Sequence, residues 1–190
     1  ASDVYKRQVL VVSPAPDTRQ RMEELKNFMQ EYTPVVIGVG SAADTLASMG
    51  YAPDIIVGDP KDVASENLRS DAKVILPAEP DGYAPGLERI QDLGVGAMTF
   101  PAATDSPTDL AILLATFHDA EMIVTVGQPV ELDRIFADSA TTAGTPATEP
   151  AALLARLKAG RKIVDSSVIT NLYAVESGAG VAWALSLIHI

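Results

Sequence analysis

Asp59 and Lys61 stand two residues apart, the spacing at which two carboxylates would hold magnesium against a phosphate. They lie in the stretch Pro53-Asp54-Ile55-Ile56-Val57-Gly58-Asp59-Pro60-Lys61-Asp62. Ile55, Ile56 and Val57 read as a buried strand, and Gly58 as the tight turn that ends it. Asp59 then falls just past the strand's carboxyl end, the edge where open α/β sheets bind ligands. A carboxylate two residues after Asp59 would complete a magnesium-phosphate site, because magnesium takes hard oxygen ligands. Lys61 stands there instead. The plainer reading of Asp59 is a turn or capping residue. Asp54 reads as a polar residue facing water where the strand begins, and Asp62 as a cap for the next helix.

Thr104-Asp105-Ser106-Pro107-Thr108-Asp109 is a second acidic cluster. Ser106 as N-cap, Pro107 at the first helical position and Asp109 at the third make a good helix start. An acid there also suits the helix dipole, which alone explains Asp109. The cluster follows another expected strand, so Asp109 and Asp59 are candidates to face one crevice.

Gly38-Val39-Gly40-Ser41-Ala42-Ala43 follows a strand and opens a helix. It approximates a dinucleotide fingerprint, with Asp59 about 20 residues on, near the spacing of its ribose-binding acid. The competing reading is that small residues let a helix pack closely on a strand. His118, beside Phe117 at an expected helix end, suits the helix C-terminus better than a metal. The other His lies in the final six residues, and there is no Cys. A zinc site, a thiol nucleophile and disulfides are therefore not expected. Neither a GxxxxGK[ST] nor a GxSxG motif occurs.

Composition narrows the function classes. Lys plus Arg number 14 against 25 Asp plus Glu, a net charge of −11. Nucleic-acid binding is not expected of such a chain, because phosphate contacts need clustered cations. No Lys or Arg run suggests an anionic membrane surface. An anionic ligand would need helix N-termini or a metal to offset the acidity. The chain is 47% hydrophobic and only 5% aromatic, a mix that suits a buried parallel sheet with covering helices. No stretch is long enough to read as a membrane span.

The elements that would position these residues alternate along the chain. Strands are expected over 9–12, 35–39, 55–57, 73–76, 97–100, 122–126 and 161–164. Asp17 and Gln20 suggest a capping box for a helix carrying Met22, Leu25, Phe28, Met29 and Tyr32. Further helices are expected over 41–49, 65–69, to Leu93 after the 81–86 loop, 106–117, 130–136, 151–157 and 168–173. A polar loop is expected over 141–149. This alternation predicts right-handed βαβ units: an α/β, Rossmann-like three-layer domain with a mostly parallel sheet. Residues 1–8 (ASDVYKRQ) and 185–190 (LSLIHI) resemble translated adapter sequence and are set apart from the fold. On that reading the domain spans 9–165, an extension starts over 166–184, and the chain is a piece of a longer protein.

Val35-Val36-Ile37-Gly38-Val39-Gly40-Ser41-Ala42-Ala43-Asp44 and Tyr51-Ala52-Pro53-Asp54-Ile55-Ile56-Val57-Gly58-Asp59 resemble the thiamine pyrophosphokinase catalytic domain. That family carries Asp-Gly-Gly-Ala-Asn/Asp, Pro-Asp-x-Ile-x-Gly-Asp-x-Asp and a later Thr-Asp opening a helix. Asp44, Asp59 and Thr108-Asp109 match those positions. Pro80-Asp81-Gly82-Tyr83-Ala84-Pro85-Gly86-Leu87-Glu88-Arg89 and Lys162-Ile163-Val164-Asp165 more closely resemble the SteA-type proteins, divergent relatives of that kinase linked to cell division. The resemblance implies Asp59 and Asp109 as catalytic and metal-binding residues. It implies Gly38, Gly40, Ser41, Asp44, Lys61 and Thr108 as nucleotide-binding residues. The ligand it implies is ATP, another nucleotide or a small phosphorylated molecule.

The departures are as informative as the matches. Gly40 replaces the first Asp of the kinase's Asp-Gly-Gly, and Lys61 the second Asp of Asp-x-Asp. Two lost carboxylates, one to a cation, weaken a magnesium (Mg2+) site, while Lys61 can touch a phosphate directly. Too little chain follows Val164 for the kinase's carboxyl-terminal β-rich domain. The leading expectation is thus a nucleotide-binding or regulatory module with a degenerate catalytic site. It would be a cytoplasmic domain of a division-associated protein, held at the membrane only through segments outside this chain. A division-protein partner is expected, with a homodimer left open. The alternatives are an active diphosphokinase moving pyrophosphate from ATP to thiamine, and a dinucleotide-binding oxidoreductase.

Overall fold

Short apolar runs punctuated by Gly and Pro fold into one parallel sheet. The computed structural model describes residues 8–101, 106–127 and 162–177. Thr104, Asp105, the helices expected over 130–136 and 151–157, the 141–149 loop and the ends 1–7 and 185–190 lie outside them. The strands are β1 (Gln8–Val12), β2 (Val35–Val39), β3 (Ile55–Val57), β4 (Lys73–Ala78), β5 (Ala97–Pro101), β6 (Met122–Val126) and β7 (Ile163–Asp165). They form a seven-stranded sheet in the order β5-β4-β3-β2-β1-β6-β7. Every described pairing is parallel, as Val9↔Val35 and Val9↔Ile123 on either side of β1 illustrate. The sheet is therefore the α/β architecture the sequence predicts.

The helices are α1 (Thr18–Glu24), α2 (Lys26–Tyr32), α3 (Ala42–Ser48), α4 (Ser65–Leu68), α5 (Leu87–Asp92), α6 (Pro107–Phe117) and α7 (Ser166–Ser177). The chain lays strands outward from β1 to β5, then returns through α6 to place β6 on the other side of β1. Right-handed crossovers put helices on opposite faces when the direction of travel reverses. Alternate residues of each strand divide accordingly. Val9, Val11, Ile37, Val39, Val57, Ile75 and Ile123 share one apolar cluster with α6. Leu10, Val12, Val36, Val124 and Val126 pack on α1, α2, α3 and α7. Ile56, Val74, Leu76 and Ala78 pack with Leu68 and Ile90 of α4 and α5. From Thr108 to Thr116, α6 is buried at every position except Asp109.

Several local expectations need correction. β1 begins at Gln8, which pairs with Met122, one residue before the expected start of that strand. The helix after Asp17 is two helices, because the Leu25 N–H is shared between the Arg21 and Met22 carbonyls, a 3-10-type tightening. Asp17 makes no capping bond; its carboxylate accepts from Arg21 Nε at 2.6 Å. Ile169 of α7 is 6% exposed in the same cluster as Leu10, so that helix packs on the domain. Tyr173 of α7 also donates to the Glu31 carboxylate. Among the described residues, no helix is long and apolar enough to cross a membrane.

The close-packing reading of the glycines is visible at Gly38. A methyl group there would lie 2.9 Å from Ala43 Cα and 3.0 Å from its Cβ, against α3 backbone that cannot swing aside. Gly38→Ala should therefore destabilise the domain by about 1–3 kcal/mol, the usual range for overpacking a tight core. Urea unfolding measures this as a lower midpoint with an unchanged slope; an unchanged midpoint would mean that α3 does not depend on the close approach.

Candidate functional site

At the carboxyl edge of the sheet the chain turns away from each strand, and several turns meet. Gly40, leaving β2, donates its N–H to Val57 O at 2.9 Å. A methyl at Gly40 would lie 3.9 Å from Pro14 Cγ and 4.0 Å from Asp62 Cβ. One at Gly58, leaving β3, would lie 3.6 Å from Gly40 Cα and 3.8 Å from Pro107 Cβ. The exits of β1, β2 and β3 thus adjoin the first turn of α6. Asp59 directly follows Gly58 and so borders this meeting point, while Asp109 lies two residues beyond Pro107 in the first turn of α6.

The strand order reverses between β1 and β6, the usual crevice for a ligand in open sheets. Here those ends pack backbone against backbone. Ser13 donates its N–H to Val126 O at 2.8 Å, and Gly127 is so close that any side chain there would strike the Ser13 carbonyl. The Ser13 hydroxyl is 2.8 Å from that of Thr108, and Thr18 Oγ1 donates to Ser13 O at 2.9 Å. Thr108, expected to contact nucleotide, therefore has its hydroxyl in a buried link between α6 and β1. The edge around β2 and β3 is left as the better candidate.

Asp59 caps a 3-10 turn, Pro60–Asp62, with Pro60 at its first position. Its Oδ1 accepts the Lys61 N–H at 2.9 Å, and its Oδ2 lies 3.2 Å from Lys61 Nζ. Both oxygens of the carboxylate thus face one residue, two positions away. The Lys61 side chain is 73% exposed against 31% for Asp59. A pair this exposed is worth about 0–1 kcal/mol, so its ammonium can turn to another anion at little loss. Among the described residues no group of three or more His, Cys, Asp or Glu is arranged to hold a metal ion. Those carboxylates alone do not assemble the oxygen shell magnesium prefers.

The remaining candidates bond mainly to protein groups. Asp44, matched to a nucleotide-binding position, accepts the Ala64 N–H at 3.1 and 3.0 Å and Asn67 Nδ2 at 2.5 Å. It performs the helix-start role expected of Asp62, which stays exposed. Asp54 Oδ2 accepts the Val36 N–H at 2.8 Å and ties β2 to the start of β3. Ser41 makes no side-chain capping bond, and the Gly40 amide is engaged with Val57 O. Ser106 caps α6 as expected, accepting the Asp109 N–H at 3.4 Å, and Asp109 is the acid of its first turn.

A charged network at the same edge was not anticipated. Arg21 lies 2.6 Å from Asp17 and 3.4 Å from Asp165, and also reaches Ser166 Oγ at 3.4 Å, joining α1 to the end of β7. The Asp17–Arg21 spacing is visible in sequence, whereas the link to Asp165 needs the fold. The Asp17 hydrogen bond holds the Arg21 guanidinium above its ordinary value. Partial burial pushes the Asp165 carboxyl up, but the Ser167 hydrogen bonds and the Arg21 charge outweigh it and hold the group below 3.8.

The chain matches no protein-family model and no curated protein. Solved structures to which it is similar include two thiamine pyrophosphokinases. Thiamin pyrophosphokinase from Geobacillus thermodenitrificans is 19% identical, with 70% of this chain and 53% of that one covered and a TM-score of 0.40. Thiamine pyrophosphokinase from Bacillus subtilis is 17% identical over the same shares, with a TM-score of 0.39. The chain spans about half the length of these structures, 53% of each.

The Ser167 hydrogen bonds and the Arg21 charge at Asp165 together set an acid limb for stability. A carboxyl held below its unfolded value stabilises the fold above that value, and the contribution is lost as pH falls through the folded value. Asp165→Asn should therefore be less stable than the parent at neutral pH, and the gap should close below about pH 3.8. Thermal unfolding across that range checks it; a gap that stays constant with pH would remove the charge from the explanation.

Proposed function

We propose that this domain binds a nucleotide, or another small phosphorylated molecule, at the carboxyl edge of β2 and β3. Lys61 supplies the positive charge that a metal ion supplies in a phosphoryl-transfer site. The single observation that supports this is the Asp59–Lys61 pair, with Nζ at 3.2 Å from the carboxylate and mostly in solvent. Two acids at these positions would recruit magnesium, which bridges and neutralises phosphates. An acid and a lysine neutralise each other, and the lysine remains available to a phosphate as a point charge. Asp59 then tethers the ammonium rather than ligating a metal. Gly40 removes a further carboxylate from the same rim and so lowers repulsion toward an anion.

On this reading the chain is a relative of the thiamine pyrophosphokinases in which binding is kept and metal-dependent transfer is lost. The Asp81-to-Arg89 motif, shared with the SteA-type proteins, supports a regulatory role in a cytoplasmic, division-associated protein. The net charge of −11 opposes approach of an anion, so the pairing must be local and short-ranged.

Calorimetry with ATP in the presence of EDTA, then of magnesium, tests the proposal. ATP should bind without the metal. Lys61→Ala should weaken it by about tenfold or more, as expected for losing a hydrogen bond to a charged group. Lys61→Asp should abolish binding in EDTA and make it depend on magnesium. Binding by the parent only with magnesium, accompanied by formation of thiamine diphosphate, would replace this reading with the diphosphokinase. Tight NADH binding without ATP binding would replace it with the oxidoreductase.

A further inference from the structure

The peptide unit joining Val63 to Ala64 closes the 3-10 turn that carries Lys61, and opposite charges hold it from its two sides. Its carbonyl accepts from the Arg89 guanidinium at 2.9 Å. Its N–H donates to both oxygens of Asp44, at 3.1 and 3.0 Å. The negative end of the peptide dipole therefore meets the cation, and the positive end the anion. Hydrogen bonds to ionised groups are the strong ones, and bonds in a chain polarise one another. Each side chain also has a second hold: Arg89 reaches Ser65 Oγ at 3.3 Å, and Asp44 accepts from Asn67 Nδ2 at 2.5 Å. Val63 itself is 2% exposed, so the unit is pinned beside the core.

The other end of the turn is held by the segment that carries Arg89. Gly86 caps α5 with φ +89, a conformation that favours glycine. A methyl there would lie 2.5 Å from Pro60 Cδ and 3.3 Å from Asp59 Oδ1. Gly86 is the N-cap of α5, and Arg89 follows three residues later, inside the helix. The start of α5 thus touches the turn where Asp59 opens it and where Val63 closes it.

We propose that Asp44 and Arg89 are coupled positioning residues. Through the Val63–Ala64 peptide they fix the turn that sets Lys61 against Asp59, and with it the place where a phosphate would meet the ammonium. Asp44 lies on α3 and Arg89 on α5, so the turn is suspended between two helices on the same face of the sheet. The coupling stands on these hydrogen bonds alone. The consequence for ligand affinity rests on the anion site proposed above.

The test uses the parent chain, Asp44→Asn, Arg89→Ala, their double variant and Arg89→Lys. In urea unfolding, the two single effects should depart from additivity by about threefold or more in the unfolding constant, although the side chains interact only through the peptide. In the ligand-free protein, the Lys61 backbone amide resonance should move in both single variants. It should return toward the parent position in Arg89→Lys, which restores a charged donor. At a temperature where all variants remain folded, ATP affinity in EDTA should fall about threefold to tenfold in Asp44→Asn and Arg89→Ala. Additive unfolding effects, or an unmoved Lys61 amide, overturn the proposal. Coupling and a moved amide with undiminished ATP affinity confine the pair to stability and overturn its positioning role at the site. If the parent binds no ATP, the anion site falls, while the cycle and the Lys61 amide still decide the coupling. Should Arg89→Ala fail to fold, Arg89→Met, which keeps most of the side chain's bulk and removes the donor to Val63 O, replaces it in the cycle, judged by the same two outcomes.

Discussion

A parallel sheet needs cover on both faces, and the constraint that supplies it here is the direction in which strands are added. Outward growth from β1 to β5 leaves α1 to α5 on one face; the return to β6 carries α6 across the other. That return brings Pro107 against Gly58 and the Thr108 hydroxyl against Ser13. The site depends on this crossover. Without it, the turn after β3 and the start of α6 would lie on unrelated parts of the surface. The same crossover packs the ends of β1 and β6 together and leaves the exits of β2 and β3 as the open edge.

The chemistry at that edge is decided by a small energy. An exposed ion pair such as Asp59–Lys61 contributes little to stability, so it is poor evidence for a structural role. The groups around it are different. Asp44, Arg89, Gly86 and Pro60 fix backbone through charge-assisted hydrogen bonds and close contact. A weakly held ammonium on a firmly held turn suits metal-free recognition of an anion, because the positive charge is placed in advance while its partner can be exchanged. It suits phosphoryl transfer poorly, since that chemistry relies on metal ions to neutralise several phosphate oxygens at once.

The fold was legible in the sequence because its strands are short apolar runs with clear stops. Gly58, Gly127 and the Ser106-Pro107 pair mark element ends in one dimension as they do in three. The split at Leu25 was not legible, because the apolar spacing continues through it and only the sharing of one N–H separates the helices. At the candidate site, short-range contacts were legible and long-range ones were not. Asp59 and Lys61 lie two apart in sequence and interact directly. Asp44 and Thr108 were assigned to a ligand by their place in motifs, yet both engage protein groups from distant segments. Arg89 and Asp165 went unassigned for the converse reason: their partners, Val63 and Arg21, are brought near only by the sheet.

The central claim is that an anion binds at the β2–β3 edge through Lys61 without a metal. A titration with inorganic tripolyphosphate in EDTA, followed by backbone amide resonances, tests it most directly. The account predicts saturable shifts centred on Gly40, Gly58 to Asp62, Gly86 and the start of α6, with Ser13 and Gly127 little changed. Shifts that appear only after magnesium is added, or that centre on Ser13 and Gly127 at the β1–β6 junction, would contradict it.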